Sequence, residues 1–171
     1  MTRIIFLYIF ILLWPPSQAM ANTNEESRLK AALIYKMGLF VTWNNAPEQL
    51  NYCFIGKKSE AIANVLKAKF AQGRLPARVN FLNKASIEEV AKLECQVLFS
   101  TSVKSSESEK YEEISQSTLT IANSSLQLKH GLIASIEIKS RRPQLSLSRA
   151  NLKRSNIKID TQLLAMMKFK E

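Results

Sequence analysis

Tyr52-Cys53-Phe54-Ile55-Gly56 is an apolar run closed by glycine, the pattern of a buried strand. At Ser59 the period changes. Ile62, Val65, Leu66 and Phe70 recur at helical spacing behind a residue that can cap a helix. Residues 72–76 form a turn, Arg78–Leu82 alternates like a second strand, and Ser86-Ile87-Glu88-Glu89 has the capping-box form that opens a short helix to Leu93. Cys95–Phe99 is a third strand, Ser105–Ile114 a polar helix and Leu119–Ala122 a fourth strand. Strand, helix and strand with connections of crossover length predict a mostly parallel sheet with helices on both faces. The last quarter changes character. Leu132–Lys139 and Leu145–Ser148, separated by Ser140–Pro143, predict an antiparallel pair added to that sheet, and Ala150–Ser155 and Asp160–Lys168 read as closing helices. A chain of 171 residues with four glycines and five prolines fits a single α/β domain.

Upstream, Arg3 precedes an apolar run from Ile4 to Trp14, Pro15-Pro16 break it, and Ala19-Met20-Ala21 supplies small residues where a signal peptidase reads. Eleven residues in helix rise about 16 Å, roughly half a ~30 Å hydrocarbon core, so a spanning anchor is disfavoured. The expected division is a signal peptide over 1–21 and a domain over 22–171, with no cysteine near the cleavage site to carry a lipid. The mature chain would keep 23 basic and 14 acidic side chains, net +9. Outside the cytoplasm such charge suits an anionic membrane surface, an acidic protein face or a wall polymer, and nucleic acid drops out. The doublets Lys57-Lys58, Arg141-Arg142 and Lys153-Arg154 are scattered, which favours general solubilisation. After Thr23-x-x-Glu26, a second capping box, Leu29, Ala32, Leu33, Met37 and Phe40 predict an amphipathic helix ended by Trp43–Pro47.

Catalytic patterns are missing from the sequence. Glycines at 38, 56, 73 and 131 make no nucleotide-binding loop, and no G-x-S-x-G occurs. One histidine excludes a site with two imidazole ligands, and one aspartate excludes an aspartate dyad. His130 sits at a turn with no recognisable acid or serine partner. Glu88-Glu89 and Glu112-Glu113 are adjacent on helices, so their side chains point about 100° apart and do not converge. The expectation is a non-enzyme without cofactor or metal. Cys53 and Cys95 begin similar strands; they form either one bridge, suited to an oxidising compartment, or two separate buried thiols.

Leu29-Lys30-Ala31-Ala32-Leu33-Ile34-Tyr35-Lys36-Met37-Gly38-Leu39-Phe40-Val41-Thr42-Trp43 resembles the opening of the YfiR family of exported bacterial proteins. Tyr52–Gly56, Gln72–Val79, Cys95–Ser100 and Leu145–Ile159 with Leu163-Leu164 are similar to its later blocks, in the same order. The chain departs from the family at Trp43-Asn44, His130-Gly131 and Leu145–Ser148. The resemblance implies a periplasmic regulator that binds and inhibits the periplasmic sensor region of an inner-membrane diguanylate cyclase, lowering cyclic-di-GMP and biofilm formation. It further implies an outer-membrane-associated antagonist, a homodimer and a Cys53–Cys95 disulfide. A contact surface is expected around Leu152, Ile157, Ile159, Leu163 and Leu164, residues equally suited to closing the core. The competing expectation is a module that senses a small molecule at the carboxyl ends of the strands and acts on a kinase or transporter.

Overall fold

The computed structural model describes residues 18–44, 46–73, 77–82 and 87–171. The leader up to residue 17, the turn at 74–76 and the capping Ser86 lie outside them. Helix α1 (Gln18–Leu39) leads into β1 (Val41–Thr42), β2 (Leu50–Ile55), α2 (Glu60–Gln72), β3 (Ala77–Leu82), α3 (Ile87–Ala91) and β4 (Val97–Ser100). Then follow α4 (Ser108–Ile114), β5 (Leu119–Ala122), a 3-10 turn at Ser125–His130, and the hairpin β6 (Ala134–Lys139) and β7 (Arg142–Ser148). Helix α5 (Arg149–Arg154), β8 (Lys158–Ile159), α6 (Thr161–Ala165) and β9 (Lys168–Lys170) close the chain.

Seven strands form one sheet in the order β3-β2-β4-β5-β6-β7-β9. The first five are parallel, β7 runs antiparallel to β6, and β9 is parallel to β7. A mostly parallel sheet carrying an antiparallel addition is the predicted architecture. The chain order reverses between β2 and β4, since β3 is laid on one side of β2 and every later strand on the other.

Alternation along the strands builds two cores. Tyr52, Phe54, Val97, Phe99, Leu119, Ile121, Ala134, Ile136 and Leu147 face α1 and α2, meeting Ala31, Ile34, Met37, Ile62, Ala63 and Leu66. On the opposite face Cys53, Ile55, Leu98 and Ala122 meet Ile87 and Val90 of α3, Tyr111 of α4 and Leu128 of the 3-10 turn. Each fully buried large side chain contributes about 1.5–3 kcal/mol. Beyond β4 the second face turns polar, with Thr120, Ser135, Ser146 and Ser148 all buried.

Four expectations need correction. Helix α1 begins at Gln18, so Thr23 lies inside it rather than capping it. It ends at Leu39, well before Pro47, because Val41 and Thr42 leave the helix to pair with Ile159 and Lys158. The hairpin turn is only Ser140-Arg141, both with positive φ (51° and 61°), and Pro143 sits within β7. This is the twist-matching two-residue geometry. The helix expected over 160–168 stops at Ala165. Asp160 caps it by accepting from the Gln162 N–H (2.7 Å), and Lys168–Lys170 then pairs along β7.

Candidate functional site

Cys53 and Cys95 form a disulfide, with Cα atoms 5.9 Å apart. Both are buried in the second core among Ile55, Val90 and Leu98. The bridge spans a crossover of 42 residues in sequence, a constraint on the unfolded chain of about 4 kcal/mol in the loop-entropy account. Beside it a polar knot ties the amino ends of β2 and β4 to the middle of β3. Asn51 N–H donates to Gln96 Oε1 (2.8 Å), Asn51 Nδ2 to Leu93 O (2.7 Å), and Asn80 Nδ2 to Asn51 Oδ1 (2.6 Å).

At the other end of the sheet, the reversal between β2 and β4 is where open α/β sheets hold ligands. Here it is shut. A Cβ on Gly56 (φ +91°) would lie 2.5 Å from Thr101 Oγ1, and both Thr101 N–H and its hydroxyl donate to Ile55 O. Ser100 Oγ and the Tyr111 hydroxyl lie 2.9 Å apart beneath this closure. Burial pushes the Tyr111 phenol up to about 12, against the opposing Ser100 hydrogen bond, so it stays neutral. Nothing in this arrangement favours a sensed ligand between those two strands.

His130 acquires a partner that the sequence did not reveal. Its Nδ1 lies 3.0 Å from Ser108 Oγ, 22 residues away. Gly131 (φ +90°) makes the approach possible, since a Cβ there would meet Glu112 N at 2.7 Å and Ser108 O at 2.9 Å. The pair is not wired as nucleophile and base. Ser108 Oγ also donates to Ser105 O (2.8 Å), and among the described residues no third side chain bonds His130 to orient it as a base. The acid pairs also disperse: Glu88 pairs with Lys110, and Glu112 with Arg154 at 3.4 Å. Glu109, Glu112 and Glu113 line an open depression of about 340 Å³ together with Ser115, Asn151 and Arg154. Asn151 is held there by donating to Leu128 O and Leu132 O.

A second polar cluster went unread in the sequence. Glu137 on β6 accepts from Ser124 Oγ (3.0 Å) and from the Ser125 N–H, and pairs with Lys139 at 2.6 Å. The Lys139 ammonium and these donors hold its carboxyl down at about 2 against the cost of burial. Lys30 on α1 is 5% exposed, with Nζ 2.6 Å from Asn123 Oδ1 and 2.7 Å from Glu26. Among the C-terminal residues, Ile157, Ile159 and Leu163 are buried, while Leu152 and Leu164 are half-buried against the same core. The β1–β8 pairing and the Asp160 N–H donating to Phe40 O (2.8 Å) tie this segment to the end of α1.

None of the curated proteins matches this sequence. A solved structure, a conserved domain protein from Vibrio cholerae O1 biovar El Tor str. N16961, is similar in fold, with a TM-score of 0.54 at 12% identity over 85% of this chain. The chain spans 60% of that protein's length. The family model described as YfiR/HmsC-like (DUF4154) matches residues 27–168, from the first helix through the start of the last strand. With a match that runs through both cores, the disulfide and the added hairpin, the chain belongs to the YfiR/HmsC-like family.

Proposed function

We propose that this chain is a non-enzymatic regulatory protein of the bacterial periplasm that binds and inhibits the periplasmic sensor region of an inner-membrane diguanylate cyclase. Its family is one of periplasmic regulators in the diguanylate cyclase pathway, and the match over residues 27–168 is the observation that carries the reading. The chemistry of the chain supports it. Among the described residues, the Ser108–His130 contact has no third side chain to orient the imidazole, and Glu88 and Glu112 are engaged with Lys110 and Arg154. A signal peptide over 1–21 would deliver the domain over 22–171 to the periplasm. There the Cys53–Cys95 bridge is stable. Contact with the cyclase is made by the C-terminal segment. Leu152 and Leu164 supply partly accessible apolar surface there, and Ile157, Ile159 and Leu163 hold the backbone beneath them. A homodimer and release by an outer-membrane-associated antagonist complete the reading.

Deleting the gene in a strain that retains the cyclase should raise cyclic-di-GMP and biofilm, and the purified protein should bind the isolated sensor region. Unchanged cyclic-di-GMP with a functional cyclase overturns the assignment. Light scattering of the purified protein tests the dimer. A second reading, a small-molecule sensor acting on a kinase or transporter, draws on the 340 Å³ depression lined by Glu109, Glu112, Glu113 and Arg154. A raised melting temperature with a cationic envelope metabolite, abolished in E112Q/E113Q, would favour it.

A further inference from the structure

The positive charge of the chain is unevenly placed. Residues 137–171 carry nine of the 24 Lys and Arg side chains but only three of the 14 carboxylates. In the folded chain much of this charge gathers at the free end of the sheet. Register sets Lys139 beside Arg142, Lys168 beside Ser146 and Lys170 beside Ser148. Alternation puts Arg142, Ser146 and Ser148 on one side of β7, so Lys139, Arg142, Lys168 and Lys170 share that side of the sheet. All four are exposed. Arg142 is about 13 Å along the strand from the Ser146–Lys168 pair and about 20 Å from the Ser148–Lys170 pair, so the cations form a line that suits an extended anionic surface. Arg141 lies at the hairpin turn, and the Arg149 guanidinium sits 4.3 Å from the Phe169 ring centre. Among the described residues Lys139 pairs with Glu137, and no carboxylate comes within 4.0 Å of Arg141, Arg142, Arg149, Lys168 or Lys170. Two large apolar side chains stand exposed at the same edge, Met166 (61%) and Phe169 (43%), the latter opposite Leu147 and so on the other face of the sheet from Lys168 and Lys170.

An acidic strand added to this edge would find few hydrogen-bond donors. Strand β9 is three residues long. The two-residue turn makes Lys139–Arg142 the hydrogen-bonded closing pair, so Pro143, one step on, has its nitrogen on the outer side of β7, where it offers no N–H. What remains is an edge that carries cations on one face and exposes an aromatic on the other, with the thioether of Met166 just before it, a combination that suits an anionic lipid interface met edge-on.

We infer that this edge of the sheet, with Arg141, Arg142, Lys168 and Lys170 on one face and Phe169 on the other, docks edge-on against a bilayer containing anionic phospholipid. The surface follows directly on the segment assigned to the cyclase contact and requires no protein partner. It would hold the protein on the plane in which membrane receptors are found.

The test is co-sedimentation of the purified protein with vesicles of phosphatidylethanolamine and phosphatidylglycerol, against vesicles of phosphatidylcholine. The protein should pellet with the anionic vesicles, remain soluble with the neutral ones, and be released by high salt. R141Q/R142Q/K168Q/K170Q should lower the bound fraction at least about tenfold with an unchanged circular dichroism spectrum and melting temperature. K57Q/K58Q/K67Q/K69Q, which removes the same charge from exposed positions on and before α2, should bind like the parent, and so should the charge-preserving K168R/K170R. Absence of binding to anionic vesicles, equal loss in the two quadruple variants, or full binding by the first quadruple variant overturns the inference. Capture by polyglutamate without vesicle binding also overturns it, assigning the surface to an acidic protein.

Discussion

Lys30 on the first helix donates through Nζ to Asn123 Oδ1 at 2.6 Å, joining α1 to the carboxyl end of β5 across 93 residues of sequence. The ammonium is buried and has one other partner, Glu26, whose own side chain is about half exposed. Asn123→Ala leaves the charge with that single partner. It should destabilise the protein by about 1–2 kcal/mol, seen as a lower urea midpoint with an unchanged slope. An unchanged midpoint would mean that solvent reaches Lys30 at no cost.

Reducing the Cys53–Cys95 bridge should lower the unfolding free energy by about 4 kcal/mol without altering the native sheet. Urea titrations with and without reductant, and of the double alanine variant, measure this. Because both sulfurs are buried, reduction under native conditions should be slow and should accelerate in mild denaturant. Fast reduction at zero denaturant would place the bridge in a region that opens locally.

Glu137 sets a limit at low pH. Its folded-state carboxyl titrates near 2, below its ordinary value of 4.5, so the unfolded state takes up the proton first. The clamp on Ser124 and Ser125 is fully present above about pH 4.5 and is lost as pH falls toward 2. Because Lys139 is mostly exposed, its share is screened, and the contribution is about 1–2 kcal/mol. In Glu137→Gln, stability between pH 5 and 2 should fall less steeply than in the parent, measured by urea midpoints at each pH.

Gly38 is in the last turn of α1, where alanine would ordinarily favour the helix by about 1 kcal/mol. A Cβ there would lie 2.5 Å from the Tyr52 hydroxyl, which donates to Tyr35 O and belongs to an aromatic group with Tyr35 and Phe70. Gly38→Ala should therefore lower the melting temperature despite its helical propensity. The paired change Gly38→Ala with Tyr52→Phe should recover part of the loss by removing the clashing oxygen.

The elements legible in the sequence are those buried on both faces or repeated over several turns. Tyr52–Ile55, Val97–Phe99 and Leu119–Ala122 are wholly buried, and all but Thr120 apolar, because the strands are covered on both faces. Strands β1, β8 and β9 are two or three residues long and have no period to read; Val41 finds Ile159 only through tertiary closure. The same reason hid the polar groups. Lys30 has the spacing of a solvated helix face and is buried because Asn123 arrives from far along the chain. His130 looked alone because Ser108 lies 22 residues back. Arg141-Arg142 and Lys168 come to lie along one edge only through the β7–β9 register, which the sequence does not show.

The pairing of Val41 with Ile159 and the placement of Lys168–Lys170 along β7 mean that β1 and the outer side of β7 wait for the last fourteen residues. During any vectorial passage, off the ribosome or through a translocation pore, a nascent chain lacks both closures until its tail emerges. Such a molecule completes these two pairings only once its tail is free.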